Sequence, residues 1–389
     1  MPRGVLAVGS AVICHILENN LSEPLGHFLN STAGLKRALE RRNVDVRVYT
    51  HVDATKDILD QLAGRAVFHY RSWDGNKSRD GTRSVERLGA DFAASCAAID
   101  NPQTDDLILV PTAQQDQVYG LALYLEGLPL GRRPRVIILV HWSSWDTPDR
   151  LQDWRIATRR LVNAAGEDRA LVAASCEEMA DALAEVLGRP VARFPLPLDY
   201  GPAPPPEAAP GSGRPIVAIL GRSLPRKGSR MLPSIILAAR IRAPRLRFFV
   251  QVTKEMRAMT LLRFIPGVEV HEGPLSSPDY LQRIAAADIV LMPYRRGDYA
   301  GRTSGIFAEC AALGRVAVVP AGTWLATQLA REHAAGVAFE SAGAQAIARA
   351  LLRAAQDLPD LSRNARARAD YWWRHESVSA FADRLLAFA

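Results

Sequence analysis

The 389-residue chain is poor in the residues that fix a fold covalently or through metals. Its four cysteines, Cys14, Cys96, Cys176 and Cys310, are far apart, show no CxxC spacing and mostly lie in apolar sequence. We therefore expect buried, reduced thiols rather than disulfides or reactive sites. The eight histidines do not pair at metal-ligand spacing, so we expect neither a structural nor a catalytic metal.

Long apolar runs are also missing. No stretch approaches the roughly 20 uninterrupted apolar residues that a membrane-spanning helix needs. The first ten residues, MPRGVLAVGS, lack the long apolar core of a secretory signal. Both features predict a soluble, cytoplasmic protein.

Charge is unevenly distributed along the chain, whose net charge is +7. Residues 1–200 contain 23 Lys and Arg against 26 Asp and Glu, whereas residues 201–389 contain 25 against 15. A positive domain attracts phosphate-bearing ligands or an anionic membrane surface, although the same excess also serves solubility. The basic residues are dispersed and not interleaved with aromatic residues, so we expect no binding of nucleic acid.

The clearest break in composition is GPAPPPEAAPGSGR at 201–214, which contains five prolines. Such a segment predicts a linker between two domains. The length and the 48% hydrophobic content allow a separate core on each side. We therefore predict one domain at 1–200, another at 215–370, and helices at 371–389 that pack back towards the first domain.

On both sides of the linker, short apolar runs alternate with helical patterns, as in parallel sheets built from βαβ units. Predicted strands of the first domain cover 4–10, 44–50, 65–70, 106–112, 135–141 and 170–175. Those of the second domain cover 215–221, 245–252, 268–273, 288–294 and 315–321. The predicted fold class is α/β, with two Rossmann-like domains whose parallel sheets face a central cleft. A helix within 30–42 is expected to be capped by Ser31 or Thr32.

The loop that follows strand 215–221 carries a cluster of cations. In GRSLPRKG at 221–228, a glycine at the turn precedes Arg222, Arg226 and Lys227. Loops at the carboxyl ends of strands are where open α/β sheets bind ligands, and several cations on one loop suit a diphosphate. The alternative is a basic surface loop that is merely solvated.

A second loop leads from strand DIVLMPY through three glycines into the helix IFAECAALG. The unpaired amides and positive dipole end of this helix form an anion site at Thr303, Ser304, Gly305 and Ile306. Glu309 lies about one turn further on, where its carboxylate can reach a ribose diol. A solvated glutamate is the alternative.

In this order, the two loops and the segment GPLSSPDYLQRIAAADIVLMPY between them resemble glycosyltransferase family 4 and its relatives with the GT-B fold. The resemblance spans most of residues 170–385, and the first domain matches only in outline. It implies diphosphate ligands at Arg222 and Lys227 and a ribose-binding carboxylate at Glu309. It also implies a distal-phosphate site at the amides of Gly305 and Ile306.

Two positions depart from the pattern of that family. A glutamate that contacts the donor sugar in the family is replaced here by Gly301, and Asp298 is the carboxylate that can reach the same hydroxyls. The family's histidine after the strand at 106–112 is also missing, and its neighbourhood holds Gln114, Gln115 and Asp116. His27 and His141 are the remaining candidates near the reacting carbon.

The resemblance implies a retaining, metal-independent glycosyltransferase that needs no cofactor and uses a nucleoside diphosphate sugar as donor. Its expected catalytic residues are Arg222, Lys227, His27 and Asp298. The acceptor would be a glycan or glycolipid of cell-surface polysaccharide assembly, reached from the cytoplasm with peripheral contact to an anionic membrane.

The alternatives are a nucleotide-sugar-binding protein that has lost turnover and a sugar-nucleotide epimerase. The polar insertion within 72–83 is either an acceptor loop or disordered.

Overall fold

Two parallel sheets organise the chain in this computed structural model. It describes residues 12–23, 28–72, 84–99, 101–142, 147–201 and 214–389, apart from the side chain of Glu255. The described parts belong to two compact units. The first comprises Met1–Phe194 with Phe381–Ala389, and the second comprises Pro195–Ala380. Residues 202–213 of the predicted linker and 73–83 of the polar insertion lie outside the described residues.

The first unit contains a seven-stranded parallel sheet in the order β3-β2-β1-β4-β5-β6-β7. Its strands are β1 (Ile13–Glu18), β2 (Asp45–His51), β3 (Arg65–Phe68), β4 (Leu107–Val110), β5 (Arg135–Val140), β6 (Ala170–Ala174) and β7 (Ala192–Arg193). Its helices are α1 (Phe28–Glu40), α2 (Lys56–Leu62), α3 (Val85–Cys96), α4 (Gln115–Glu126), α5 (Pro148–Ala165) and α6 (Glu177–Leu187). The chain returns to this unit at Phe381, whose ring meets Phe194 edge-on at 5.3 Å.

The second unit contains a six-stranded parallel sheet in the order β10-β9-β8-β11-β12-β13. Its strands are β8 (Ile216–Ile219), β9 (Arg247–Val252), β10 (Val268–Glu272), β11 (Ile289–Leu291), β12 (Val316–Pro320) and β13 (Gly336–Phe339). Its helices are α7 (Leu232–Arg242), α8 (Ser277–Ala286), α9 (Arg296–Tyr299), α10 (Gly305–Ala312), α11 (Trp324–Ala330), α12 (Ala344–Gln356) and α13 (Leu358–His375). A segment of 3-10 turns covers Lys254–Phe264, and α14 (Val378–Phe388) continues into the first unit.

Both sheets reverse their strand order beside the first strand, between β1 and β4 and between β8 and β11. Helices that leave two such strands cover opposite faces of the sheet, so the loops at their carboxyl ends diverge and leave a crevice. The loops after β8 and β11 are the two in which the sequence places its cations and glycines. The topology therefore brings the two candidate loops side by side.

The structure confirms most of the predicted strands. All five strands of the second domain are present, as are those predicted at 44–50, 65–70, 106–112, 135–141 and 170–175. The strand predicted at 4–10 lies outside the described residues. Strands β1, β7 and β13 were not predicted. Strand β1 contains the polar residues His15 and Glu18, and β7 has only two residues. The four cysteines are buried with free thiols, as expected.

The predicted cap of the first helix is wrong. Helix α1 begins at Phe28, and Ser31 and Thr32 lie inside it on its buried face. Packing of that face against the sheet outweighs the preference of these residues for a helix start.

None of the described helices is long and apolar enough to cross a membrane.

Helices α3 and α4 touch where two glycines face each other. A methyl group on Gly120 would overlap the carbonyl oxygen of Gly89 and lie 2.8 Å from Cβ of Phe92. Gly120→Ala should therefore lower the free energy of unfolding by about 1–3 kcal/mol, the usual cost of overpacking. Urea denaturation provides the measurement. Gly131→Ala is the control because no heavy atom lies within 4 Å of that position, and an equal loss in both variants would contradict the close contact.

Candidate functional site

The loop after β8 is anchored to the neighbouring strand β9. Gly221, with φ of +87°, donates its amide to Oε1 of Gln251 at 2.8 Å. The amide of Ser223 donates to Oγ1 of Thr253 at 2.9 Å, and the Ser223 hydroxyl donates to the carbonyl of Gln251 at 3.2 Å. The start of the cation-bearing loop therefore has a fixed position at the edge of the sheet.

The same loop packs tightly against the residues that follow β11. Gly228 has φ of +74°, and a side chain there would overlap the carbonyl oxygen of Pro293. The amide of Arg295 donates to the carbonyl of Arg226 at 2.9 Å. At Gly221, a Cβ would lie 2.7 Å from Cδ1 of Ile306 in the first turn of α10. The two loops thus form one connected surface.

Two tyrosines support the cations of this surface. Tyr294 and Tyr299 stack with ring centroids 4.3 Å apart and form what we call the tyrosine pair. Nζ of Lys227 lies 5.6 Å from the centroid of Tyr294, and Cζ of Arg302 lies 5.4 Å from that of Tyr299. The side chain of Arg226 hydrogen-bonds Tyr299. Aromatic faces attract cations, so the tyrosine pair holds Lys227 and Arg302, and the hydrogen bond to Tyr299 brings the charge of Arg226 beside them.

The positive charges repel one another. Burial and, to a smaller extent, the charges of Arg302, Arg226 and Arg222 lower the pKa of Lys227 to about 8, against the opposing effect of Glu309. Burial and Arg226 likewise hold the pKa of Arg302 below its ordinary value, although Tyr299 opposes this. We call Arg222, Arg226, Lys227 and Arg302 the cation cluster. An anion bound among them would relieve this repulsion.

Glu309 lies within α10, close to the cation cluster. Burial raises the pKa of its carboxyl to about 8, although a hydrogen bond from Tyr280 and the charge of Lys227 favour the ionised form. At neutral pH the carboxyl is therefore mostly protonated and neutralises little of the cation cluster. In addition, no described residue accepts a hydrogen bond from the buried Nε of Arg226. The site has an excess of donors and positive charge, which suits a phosphate-bearing ligand.

The start of α10 contributes further donors. Ser304 is buried and caps the helix by accepting a hydrogen bond from the amide of Phe307 at 3.3 Å. Gly305 and Ile306 follow it in the first turn, where the amides have no acceptor within the helix. These amides and the positive end of the helix dipole add to the attraction for an anion.

The predicted sugar-contacting positions lie at the margin of this surface. Asp298 belongs to the short helix α9, and its carboxylate lies 3.6 Å from Nε of Arg295. Its charge also acts on Arg302. Apart from the neighbours of Gly301 in the chain, no heavy atom of the described residues lies within 4 Å of the place where a Cβ on this residue would lie. A side chain at this position would therefore meet no clash at its Cβ.

Sequence reasoning found part of this site. The structure brings Lys227 close enough to Arg222 and Glu309 for their charges to interact, and it fixes Gly221 against Ile306. The sequence reasoning missed four residues, which are Tyr280, Tyr294, Tyr299 and Arg302. The sequence contains only a weak indication that these residues belong to the site, because a tyrosine at the end of MPY or in SPDYL is equally consistent with core packing. His27 lies outside the described residues.

The carboxyl edge of the first sheet holds a separate network of buried polar residues. The amide of Gln117 donates to Asn19 at 2.7 Å, and Asn19 donates to the Ser72 hydroxyl at 3.1 Å. Ser72 and Tyr70 each donate to Oδ2 of Asp116 at 2.9 Å. Burial raises the pKa of Asp116, and the two hydroxyls favour its ionised form. The residues in place of the expected histidine thus bind their neighbours within the fold.

Glu18 is the second buried carboxyl at this edge. Burial raises its pKa to about 7, while hydrogen bonds from the Thr112 hydroxyl and the backbone amide of Asn20 oppose the shift. The Thr112 hydroxyl lies 2.8 Å from both carboxylate oxygens. Sequence reasoning missed Glu18 because β1 was not predicted. The other histidine candidate, His141, is buried just after β5, beside the ring of Trp142 at 6.2 Å.

No protein-family model and no curated protein sequence matches the chain. Solved structures do resemble it over nearly their full length. HepE from Anabaena, solved with UDP, is 16% identical with a TM-score of 0.66 and covers 97% of this chain and 99% of its own. A glycosyltransferase from Rickettsia africae is 10% identical with a TM-score of 0.66, and 97% of each chain is covered. Sucrose-phosphate synthase from Thermosynechococcus elongatus is 14% identical with a TM-score of 0.64, covering 97% and 98%.

These similarities identify the class of fold, which is the GT-B type with two Rossmann-like sheets. The predicted fold class is thereby confirmed. The assignment to glycosyltransferase family 4 stays a prediction, because at this level of identity a structural likeness establishes the fold and not the family.

Glu309→Gln should make the free protein more stable at alkaline pH. The folded carboxyl has a pKa of about 8 instead of 4.5, so wild-type stability falls as pH rises from about 4.5 to 8, whereas glutamine has no proton to lose. The stability gain of the variant should be small near pH 5 and reach its maximum above about pH 8. Thermal unfolding at both pH values measures it.

Glu340→Gln is the matched control because Glu340 is exposed in the same unit. A gain for Glu309→Gln that is independent of pH, or the same profile in both variants, would contradict a half-buried, mostly protonated Glu309.

Proposed function

We propose that the chain is a glycosyltransferase that moves a sugar from a nucleoside diphosphate sugar to an acceptor. The observation that carries this proposal is the cation cluster beside α10, with a carboxyl at Glu309, at the point where the second sheet reverses its strand order. HepE, which is similar in fold, was solved with UDP and with UDP-glucose. These structures support a uridine diphosphate sugar as the first donor to test.

In the proposed mechanism, the cation cluster stabilises the leaving diphosphate. Negative charge accumulates on its distal phosphate as the bond to the sugar breaks. Arg222, Lys227 and Arg302 are in place before the reaction, together with the amides of Gly305 and Ile306. Charges fixed in this way stabilise the transition state more than the ground state. We therefore propose that transfer needs no metal ion or other cofactor.

Glu309 is proposed to orient the nucleotide through the ribose hydroxyls. A mostly protonated carboxyl can both donate and accept a hydrogen bond, which matches a diol. Tyr280, which donates to it, would hold its orientation. Asp298 is the proposed partner of the sugar hydroxyls.

The acceptor is proposed to bind at the carboxyl edge of the first sheet, with His27 or His141 near the reacting carbon. A glycan or glycolipid of cell-surface polysaccharide assembly fits a protein acting on the cytoplasmic side of a membrane. Retention of the anomeric configuration is part of the proposal. Nuclear magnetic resonance of the product's anomeric proton tests it directly.

A binding protein without turnover is the second candidate. Its support is the buried network around Asp116, because Asp116 and Gln117 form hydrogen bonds with Tyr70, Ser72 and Asn19 within the fold. Calorimetry that detects donor binding, together with the absence of both transfer and hydrolysis, would favour this candidate over the enzyme.

Lys227→Ala should lower the rate of sugar transfer by at least about tenfold, because a charge-assisted contact to the leaving phosphate is lost. Consumption of the donor provides the measurement. Arg353→Ala removes an equal charge from an exposed position near the end of α12 and should leave the rate unchanged. A normal rate in Lys227→Ala with an intact fold would contradict the assignment.

UDP should bind more weakly as pH rises through about 8. Lys227 loses its proton and Glu309 becomes ionised in the same range, so both changes remove positive charge from the site. The terminal phosphate of UDP titrates near pH 6 and stays ionised above about pH 7. Calorimetric titrations between about pH 7 and pH 9 measure the effect.

The variant Lys227→Met serves as the comparison for this titration, because only Glu309 then titrates and the pH dependence should be shallower. An affinity of the wild-type protein that stays constant up to about pH 9 would contradict the shifted pKa values.

A further inference from the structure

The second unit exposes large apolar side chains on two neighbouring elements. Among the described residues, six large apolar side chains are exposed, and four of them lie on α7 or on the 3-10 segment Lys254–Phe264. They are Leu237 (53% exposed), Ile241 (71%), Leu261 (64%) and Phe264 (77%). The 3-10 segment packs against α7, β9 and β10. We call these four residues and the exposed cations around them the α7 surface.

The exposure follows from how the two elements bury their other sides. In α7, Ile235, Ile236 and Ala239 enter the core of the second unit, while Leu237 and Ile241 are spaced i, i+4 on the outer face. In the 3-10 segment, Leu262 is buried in the same core, which leaves Leu261 and Phe264 outside. A solvent-facing stripe of a surface helix is normally polar, so these apolar side chains call for a partner.

The charge around these side chains is mainly positive. Residues 237–264 contain seven Lys and Arg and a single acidic residue, Glu255. The exposed cations of this stretch outside the sheet are Arg242, Arg245, Lys254, Arg257 and Arg263. Arg263 contacts Glu272 and Arg242 contacts Gln345, but the surface as a whole stays strongly positive. Its partner must therefore be both apolar and anionic.

We propose that the α7 surface docks on an anionic lipid membrane. Phe264, Ile241, Leu261 and Leu237 would enter the boundary between headgroups and acyl chains, and the surrounding arginines and lysines would contact anionic headgroups. A second copy of this chain is a poorer partner, because a self-complementary contact would bring two sets of five exposed cations together. The inference is independent of catalysis. It specifies the side of the second unit that faces the lipid.

The placement also bears on the substrate. Helix α7 follows directly on the loop that carries Lys227, with only Gly228 and the turn Ser229–Met231 between them. Leu237 and Ile241 lie about 8 to 14 Å along α7 from its first residue, so a membrane contact there would hold the start of α7, beside the cation cluster, within roughly the length of this helix from the lipid. A lipid-linked acceptor would then have to extend from the bilayer by about that length. This consequence rests on the proposed function, whereas the docking itself does not.

Vesicle co-sedimentation tests the docking. The full chain should bind vesicles of equal parts phosphatidylglycerol and phosphatidylcholine, bind pure phosphatidylcholine weakly, and dissociate as salt rises to about 0.5 M. Leu261→Ser with Phe264→Ser should weaken binding by roughly tenfold or more, as should Arg242→Glu with Arg257→Glu. Leu130→Ser is the matched control, because Leu130 is 79% exposed in the first unit and should have no effect.

Three results would overturn the proposal. The first is wild-type protein that does not bind the anionic vesicles. The second is equal binding by the Leu261→Ser, Phe264→Ser variant and by Leu130→Ser. The third is a dimer in light scattering that the Leu261→Ser, Phe264→Ser variant abolishes, which would identify the partner as a second copy. A thermal shift with UDP, performed on every variant, reports on the nucleotide site separately, so that failure of the proposed function is distinguished from failure of the docking.

Discussion

The site depends on one electrostatic constraint, which is the confinement of four cations with too little negative charge to balance them. The strand order brings the loops after β8 and β11 together, and the contact between Gly228 and Pro293 holds them there. The tyrosine pair lowers the cost of this crowding without supplying a full negative charge. A bound polyphosphate would neutralise the remaining repulsion between the cations, and this gain would contribute to its binding free energy.

The sequence was most informative where a residue's role depends on its own loop. Arg222, Lys227 and Glu309 could be singled out because they follow predicted strands or lie in the helix after one. Arg302 could not, because its significance comes from its position beside Tyr299 and Lys227, which only the packed fold creates. Tyr280 likewise reaches Glu309 from a different helix. Strand β1 was not predicted because its buried polar residues form hydrogen bonds with residues that are distant in sequence.

The two sheets use buried carboxyls differently. Asp116 accepts two hydroxyl hydrogen bonds, and Glu18 is bonded by Thr112 and the amide of Asn20. These groups are satisfied within the fold, which favours a role in fixing loop conformation. In the second unit, Glu309 has Tyr280 as its hydrogen-bond partner and the donors around it remain in excess. A group of charges that is incompletely balanced lowers the stability of the fold. Its presence is therefore better explained by ligand binding than by stability.

The lowered pKa of Lys227 also gives this residue a distinct chemical reactivity. The chain has five lysines, and at a pKa of about 8 the amine of Lys227 is unprotonated in a substantial fraction of molecules at mildly alkaline pH. An unprotonated amine is a nucleophile that forms imines with aldehydes. The surrounding arginines would concentrate an aldehyde that carries a phosphate. The crowding of cations thus also makes Lys227 a position for selective covalent labelling.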